Sequence, residues 1–266
     1  MVRRWKVTGK TIVIPAGIAL VVLLVLVIGV NSGRGKGEVA SDVTPETVAI
    51  EEPEEEKLPE VEQIGAGQVI ALTFDDGPSE YTGQLLDILK REQVPATFFV
   101  LGRNASTYPD MIRREIAEGY EVESHTMNHQ NLAKLDESGV RAELVGAEQA
   151  ICAIENRENC IKYVRPPYGE VSDVVRNVVG KPMIGWSIDT EDWKSKNPQM
   201  IQDRTLGVIR GWAVILMHDV YGTSVEGAER IIRELKAAGF TFVTIDELVK
   251  ASGKTLEAGS YYGRFD

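Results

Sequence analysis

From residue 68 onward, short runs rich in β-branched and aromatic residues alternate with longer amphipathic runs. Such alternation predicts strand–helix units whose strands lie parallel, because each helix carries the chain back to the same edge of the sheet. Seven runs are predicted as strands: Val69–Phe74, Ala96–Leu101, Glu121–Ser124, Lys162–Arg165, Met183–Ile188, Ala213–His218 and Thr241–Ile245. Polar motifs follow almost every one of these strands, which favours a barrel over an open sheet. The sequence therefore predicts an α/β fold of seven units.

The amphipathic runs between and after these strands are predicted as helices. They cover Gly83–Glu92, Tyr108–Glu118, Gly139–Ile154, Ser172–Val178, Met200–Arg210, Glu226–Ala238 and Asp246–Ala251. Glycines follow two of them, as is common where a helix ends. We therefore place the globular domain at residues 67–252, followed by a tail at 253–266 to which the sequence assigns no purpose.

The chain begins with a segment suited to a membrane. Residues 12–30 form a run of 19 residues without a charge, and four basic residues precede it. This length spans a bilayer, and the basic flank favours a cytoplasmic N-terminus. We predict a transmembrane signal anchor within residues 1–31 and an extended, acidic Pro/Glu-rich linker at 32–66. The domain then lies outside the cytoplasm, held at the cell membrane by a single span; the alternative is a cleaved signal peptide and a secreted domain.

Charge and cysteine content exclude several classes of protein. The net charge is −11, and the globular part has no basic stripe, so the sequence predicts no nucleic-acid partner. Cys152 and Cys160 are the two cysteines of the chain, too few for a thiolate metal site. In an oxidising compartment they favour a disulfide. The sequence does not determine the oligomeric state.

Two adjacent carboxylates end the first predicted strand. The apolar run to Phe74 leads directly into Asp75 and Asp76, and then into Gly77 and Pro78. Groups at the carboxyl end of a parallel strand face the mouth where ligands bind. Neighbouring like charges repel, so a functional reading requires a cation or basic group nearby. The alternative is an Asp-Gly turn in which the aspartate binds its own backbone.

The three histidines of the chain each lie at the end of a predicted strand. His125 and His129 have the i, i+4 spacing that brings two imidazoles to one side of a helical turn. Together with one carboxylate they would form a site for a divalent ion, zinc by default. The alternative for such a pair is a polar surface or a cap. His218 ends an apolar strand, where the alternative is a buried structural histidine.

Three further motifs follow later strands. Arg165 begins a stiff Arg-Pro-Pro-Tyr-Gly turn, where a guanidinium would hold a carboxylate through two hydrogen bonds. Asp189 is a candidate to orient His218 and raise its pKa. Trp193 is either core packing or the wall of a cleft. Each motif alone is weak, but their placement at successive strand ends favours one common site.

In combination these motifs resemble the polysaccharide deacetylases of carbohydrate esterase family 4, the NodB-homology domain. The motifs are Thr73–Pro78, His125 and Thr126 with His129, Arg165–Gly169, Asp189 with Asp192 and Trp193, and Leu216 with His218. The resemblance covers about residues 68–251 and implies a deformed (β/α)7 barrel. It also implies a metal-dependent hydrolase that removes N-acetyl groups from GlcNAc-type polysaccharide, with cell-wall peptidoglycan favoured as the substrate.

The resemblance assigns roles to the residues around the paired aspartates. It makes Asp75 the general base and Arg165 the residue that tethers it. Asp76, His125 and His129 become the ligands of a divalent metal ion, zinc or an alternative such as cobalt.

The resemblance also covers the acid and the substrate contacts. His218 becomes the general acid, with Asp189 tuning it, and the Tyr168 backbone N–H helps to bind the oxyanion. Trp193 and Leu216 line the acetyl pocket. Two alternatives stay open: an O-acetyl esterase acting on xylan or another glycan, and a catalytically silent carbohydrate-binding module.

Overall fold

The computed structural model describes residues 68–266, apart from the side chain at position 155. The predicted membrane segment and acidic linker lie outside the described residues. Within residues 68–266, no helix combines the length and the apolar character needed to cross a bilayer.

Strands and helices largely alternate along the described chain, as the sequence predicts. The strands are β1 Val69–Asp75, β2 Thr97–Val100, β3 Glu121–Ser124, β4 Met183–Ile184, β5 Ile188–Asp189, β6 Ala213–His218, β7 Thr241–Val243 and β8 Tyr261–Tyr262. The helices are α1 Thr82–Glu92, α2 Gly102–Thr107, α3 Pro109–Ala117, α4 Glu137–Glu155, α5 Asp173–Val178, α6 Asp192–Ser195, α7 Pro198–Val208, α8 Gly222–Ala237 and α9 Ile245–Ser252. The predicted bounds of β3 and β6 are confirmed, whereas α2, α6 and β8 are absent from the prediction.

Strand β1 is the centre of the sheet. The strand order is β3-β2-β1-β6-β5, β7 also pairs with β1, and all these pairs are parallel. Every residue of β1 is buried, as expected for a parallel strand covered on both faces. The register sets Asp75 beside His218 of β6, so the carboxyl ends of the two strands meet at one edge.

Side chains of β1 alternate between two cores. Ile70, Leu72 and Phe74 pack in a core that also takes the apolar faces of α1 and α8. Val69 and Ala71 pack in a second core with α9. Because strand side chains have a period of two, Thr73 and Asp75 continue the face of this second core toward the carboxyl end. The sequence thus buries one polar and one charged residue at the top of an otherwise apolar face.

The predicted seven-stranded barrel is not confirmed. The structure has a parallel α/β sheet, with β4 and β8 forming a separate two-stranded sheet. Residues 162–165 contribute only isolated bridges of Val164 to Ser124 and Met183, and the predicted strand 183–188 divides into β4 and β5. The buried Arg165 guanidinium lies at this division, where it donates to the carbonyls of Ile184, the last residue of β4, and of Gly185, which follows it.

The C-terminal segment is part of the domain core. Strand β8 pairs with β4, and Phe265 is 1% exposed within the second core. The Tyr261 hydroxyl lies so close to Gly185 that a Cβ there would be only 2.0 Å away. The C-terminal segment, to which the sequence assigns no purpose, therefore pairs with β4, the strand whose Ile184 carbonyl accepts a hydrogen bond from Arg165.

The predicted disulfide between Cys152 and Cys160 is confirmed. Cys152 lies in α4, Cys160 lies beyond the end of this helix, and the two Cα atoms are 5.6 Å apart.

We predict that Phe265→Ala lowers the free energy of unfolding by about 3–5 kcal/mol, because it removes a fully buried ring from a packed core. Urea unfolding followed by circular dichroism measures the change. Val208→Ala is the control, since Val208 is 54% exposed and is expected to change stability by less than about 0.5 kcal/mol. A Phe265→Ala effect as small as that of the control would contradict the assignment of the tail to the core.

Candidate active site

Asp75 and Arg165 form a buried ion pair at the carboxyl end of β1. Arg165 Nη1 donates to Asp75 Oδ1 at 2.6 Å, and the two side chains are 0% and 2% exposed. The predicted two-bond contact is wrong, because the second terminal nitrogen of Arg165 donates to the Gly185 carbonyl instead. Burial raises the pKa of the Asp75 carboxyl, while the charge and hydrogen bond of Arg165 oppose that rise. The carboxylate is thus held firmly and keeps the basicity that a general base requires.

The Arg165 guanidinium is almost completely bonded. Besides Asp75 and Gly185, it donates to Thr73 Oγ1 at 2.8 Å and to the Ile184 carbonyl at 3.1 Å. The guanidinium carbon also lies 3.9 Å from the centre of the Phe99 ring. A buried charge is tolerated only when it is paired and hydrogen-bonded, and these contacts meet that condition.

Asp76, His125 and His129 form a candidate metal centre. One donor atom from each of the three residues lies within 4.8 Å of the others. Asp76 Oδ1 lies 3.6 Å from His125 Nε2 and 3.5 Å from His129 Nε2. This oxygen is buried without a hydrogen-bond partner among the described residues. An orphaned carboxylate oxygen facing two imidazole nitrogens fits a divalent ion with open coordination positions.

His125 has the protonation state that a ligand requires. Its Nδ1 lies 2.7 Å from the Arg165 carbonyl oxygen, which can only accept a hydrogen bond. Nδ1 therefore carries the proton and leaves the Nε2 lone pair free for a metal ion, 3.6 Å from Asp76 Oδ1 and 3.6 Å from Asp75 Oδ2. Burial lowers the pKa of His125 to about 3, so its imidazole is neutral.

The backbone brings the ligands together without a helix. The predicted helical turn from His125 to His129 is wrong, because these residues form a loop in which His129 has a φ of 60°. The ring centroids of the two histidines are 4.9 Å apart. Asp76 and Tyr168 also have left-handed backbone, with φ of 72° and 62°. Such conformations cost on the order of 1–3 kcal/mol each in non-glycine residues and concentrate at functional sites.

His218 is oriented by Asp192, and the prediction that Asp189 does so is wrong. Asp192 Oδ1 lies 2.8 Å from His218 Nδ1, and its Oδ2 accepts the backbone N–H of His218 at 2.8 Å. Asp189 Oδ1 instead accepts the backbone N–H of Glu191. Asp192 is the first residue of α6, where its carboxylate reaches the last residue of β6, His218. Asp189 is the last residue of β5. Both aspartates belong to the predicted motif, so its spacing pointed to the right segment.

The His218–Asp192 pair determines the charge of the histidine. Burial alone lowers the pKa of His218, but the hydrogen bond and charge of Asp192, together with the charges of Asp75 and Asp76, outweigh burial and raise that pKa to about 9. His218 is therefore protonated at neutral pH and able to donate a proton from Nε2.

All the candidate residues except the buried Arg165 line one cleft of about 390 Å³. Its walls comprise Asp75, Asp76, His125, His129, Tyr168, Trp186, Asp189, Trp193, Leu216, His218 and Tyr221. Tyr168 and Trp193 are 61% and 47% exposed, and this favours the cleft-wall reading of Trp193 over core packing. Sequence reasoning missed Trp186 and Tyr221, which lie close to predicted strand ends but outside any motif.

Comparison with known proteins finds similarity to polysaccharide deacetylases. Residues 63–182 match the family model described as polysaccharide deacetylase. The chain is 39% identical over 211 residues to the peptidoglycan-N-acetylglucosamine deacetylase PgdA of Listeria monocytogenes, covering 79% of this chain but only 44% of that protein. It is 36% identical to a peptidoglycan-N-acetylglucosamine deacetylase of Bacillus cereus, covering 69% of each chain.

Among solved structures, a family 4 acetyl xylan esterase from Clostridium thermocellum in complex with a cobalt ion matches with a TM-score of 0.70. It is 28% identical, and the match covers 74% of this chain and 98% of that one. The chain thus spans nearly all of this solved domain but less than half the length of the Listeria protein.

We predict that His218 in the metal-free protein titrates with a pKa of about 9, and that Asp192→Asn lowers this pKa because it removes the charge that stabilises the imidazolium. NMR titration of the imidazole carbon–proton signals measures it directly, and a chain with three histidines gives few signals to assign. Asp189→Asn is the matched control and is expected to leave this pKa where it is. A shift in the Asp189 variant, with none in the Asp192 variant, would reverse the assignment.

Proposed function

Because the chain belongs to the polysaccharide deacetylase family, we propose that it is a metal-dependent N-deacetylase of GlcNAc-containing polysaccharide. Cell-wall peptidoglycan is the proposed substrate, and the products are acetate and a free glucosamine unit in the polymer. Two relatives named as peptidoglycan-N-acetylglucosamine deacetylases support this choice.

The proposal rests on one observation, which is that the adjacent carboxylates of Asp75 and Asp76 have different surroundings. Asp75 is bound to Arg165, while an oxygen of Asp76 faces two imidazoles without a partner among the described residues. Hydrolysis of an amide requires a base for the water and an electrophile for the carbonyl. Asp75 can supply the base, and Asp76 can help His125 and His129 to hold the metal ion that would supply the electrophile.

A divalent ion held by Asp76, His125 and His129 would supply Lewis acidity, which would polarise an acetyl carbonyl and lower the pKa of water. Asp75 removes the proton from the attacking water. Arg165 holds the Asp75 carboxylate in place, so that little reorganisation accompanies proton transfer. Zinc is the proposed ion, with cobalt as an alternative.

His218 completes the reaction at the leaving group. Expulsion of an amine requires protonation of its nitrogen, since an amide anion is a very poor leaving group. His218 lines the same cleft as Asp75 and is protonated at neutral pH. It is therefore the proposed general acid, with Asp192 holding Nδ1 so that Nε2 delivers the proton.

The remaining cleft residues are proposed to bind the acetylated sugar. The left-handed backbone of Tyr168 supports the role of its N–H in binding the oxyanion, a contribution of roughly 3–4 kcal/mol per well-placed donor. Trp193 offers an exposed ring to a sugar face, and Leu216 provides an apolar wall for the acetyl methyl group.

We propose further that the domain works outside the cytoplasm, held at the membrane by residues 1–31. The uncharged run at 12–30 supports this location, as does the disulfide, because disulfides persist in oxidising compartments. The alternative is secretion after cleavage of that segment.

An O-acetyl esterase is the second candidate. The match to an acetyl xylan esterase favours it specifically, and the same base, acid and metal ligands serve ester cleavage. An ester needs less help at its leaving group, because an alkoxide departs more easily than an amide anion. A strong dependence on His218 therefore favours the N-deacetylase. A silent binding module fits poorly, since base, acid and metal ligands are all present.

We predict that the purified protein with zinc releases acetate from N-acetylated chito-oligomers or peptidoglycan, and that Asp75→Asn lowers the rate by about 10²–10⁴-fold, the usual contribution of a general base. Enzymatic assay of acetate measures the rate, and acetylated xylan tests the rival reaction. The Asp75→Asn protein is expected to retain one metal ion per chain by elemental analysis, because Asp75 lies outside the metal ligands. An active Asp75→Asn variant, or a zinc-loaded wild type inactive on both N-acetylated polymers, would refute the proposal.

A further inference from the structure

Asp219 is a buried carboxylate that the proposed reaction leaves without a role. It directly follows His218, is 0% exposed, and is not among the residues that line the cleft. Its Oδ2 accepts a hydrogen bond from the Thr82 hydroxyl, while its Oδ1 has no partner among the described residues. A buried carboxylate without a bonded cation costs stability. Its presence therefore calls for an explanation other than core stability.

Asp219 is bonded to the turn that follows the paired aspartates. The Ser79 hydroxyl donates to the Asp219 backbone carbonyl at 2.6 Å. The Ser79 backbone N–H donates to Thr82 Oγ1 at 2.7 Å, and the Thr82 hydroxyl in turn donates to the Asp219 carboxylate. Thr82 is itself 0% exposed. We call these three residues, Ser79, Thr82 and Asp219, the Asp219 latch.

The Asp219 carboxylate of the latch packs against the backbone of Gly77, the residue after the candidate metal ligand Asp76. A Cβ at Gly77 would lie 2.3 and 2.4 Å from the two carboxylate oxygens of Asp219, so only glycine fits against this carboxylate. Gly77 follows Asp76, whose backbone has a left-handed φ of 72°. A side chain that packs against Gly77 therefore constrains the direction in which the Asp76 carboxylate points.

The opposite side of the same turn is fixed by α2 and the residue before it. The Asn104 side chain donates to the Asp76 carbonyl at 2.7 Å, and the Leu101 backbone N–H donates to the Gly77 carbonyl at 3.1 Å. The turn is thus held from α2 on one side and from Asp219 on the other. Since Asp219 directly follows His218, its contact with Gly77 connects the backbone beside the metal ligand Asp76 to the backbone of the proposed acid.

We propose that Asp219 is a positioning residue that fixes the Asp76 carboxylate relative to His218 through Thr82 and Gly77. The proposal rests on the function proposed above for its effect on turnover, but not for its effect on metal binding. A residue that only filled the core would contribute to stability and leave both properties unchanged.

The test compares two substitutions of Thr82 in the full chain. Thr82→Val keeps the shape but removes the hydroxyl that joins Ser79 to Asp219, whereas Thr82→Ser keeps that hydroxyl. Calorimetric titration of the metal-free protein with zinc gives the affinity, and acetate release from a chito-oligomer gives kcat and KM.

We expect Thr82→Val to weaken zinc binding about tenfold, as loss of a residue supporting a ligand does. We expect kcat to fall about 10–100-fold with KM changed less than about threefold, since small misplacements affect the chemical step most. Thr82→Ser is expected to stay within about twofold of the wild type on both measures.

Asp219→Ala provides the second variant, with an effect in the same direction and at least as large. The double variant Thr82→Val/Asp219→Ala should have the same zinc affinity and kcat as Asp219→Ala alone, because both substitutions remove the same hydrogen bond between Thr82 and Asp219. If Asp219→Ala does not fold, the two Thr82 variants decide the question.

Thermal unfolding of each variant separates positioning from stability. A Thr82→Val protein with lowered melting temperature but with zinc affinity and kcat within twofold of the wild type would overturn the proposal. A wild type that binds zinc but releases no acetate would refute the proposed function instead, and the zinc titrations would still decide whether the latch positions Asp76.

Discussion

The buried pair of Arg165 and Asp75 is the interaction on which the rest of the site depends. The guanidinium enters the second core from the turn after Val164 and bonds to β1, to the carbonyls between β4 and β5, and to the Phe99 ring. One side chain therefore joins the central strand β1 to the end of β4, which belongs to the separate two-stranded sheet. It also fixes the position of the Asp75 carboxylate, which is the proposed general base.

This pair separates two aspartates that are adjacent in the chain. Asp75 is the last residue of β1 and follows the face of the second core, where Arg165 neutralises it. Asp76 turns away through a left-handed backbone and faces His125 and His129. His125 Nε2 lies 3.6 Å from an oxygen of each aspartate. Among the described residues, however, Arg165 is bonded to Asp75, and His129 faces Asp76. This difference in surroundings is the basis for proposing a different chemical use for each carboxylate.

Much of this site is predictable from the sequence because parallel strands deliver their carboxyl ends to one edge. The positions of Asp75, His125 and His218 follow from the strand pattern, and Arg165 supplies the cation that the paired aspartates require. Which of Asp189 and Asp192 binds His218 does not follow, because it depends on where α6 begins. The tail is also beyond prediction, since Phe265 and Tyr261 belong to no periodic pattern and are placed only by the packing they complete. The seven-stranded barrel is not confirmed, because residues 162–165 contribute only isolated bridges and β4 pairs with β8 in a separate sheet.

The central claim is that Asp76 binds a metal ion while Asp75 remains bound to Arg165. Anomalous diffraction from crystals of the protein grown with zinc tests it directly. We predict one strong anomalous peak about 2.0–2.2 Å from a carboxylate oxygen of Asp76 and from Nε2 of His125 and His129, the usual distances for such ligands. Asp75 should lie outside the coordination sphere, with its hydrogen bond to Arg165 intact. A peak ligated by Asp75, or a zinc ion bound away from these three residues, would contradict this metal site.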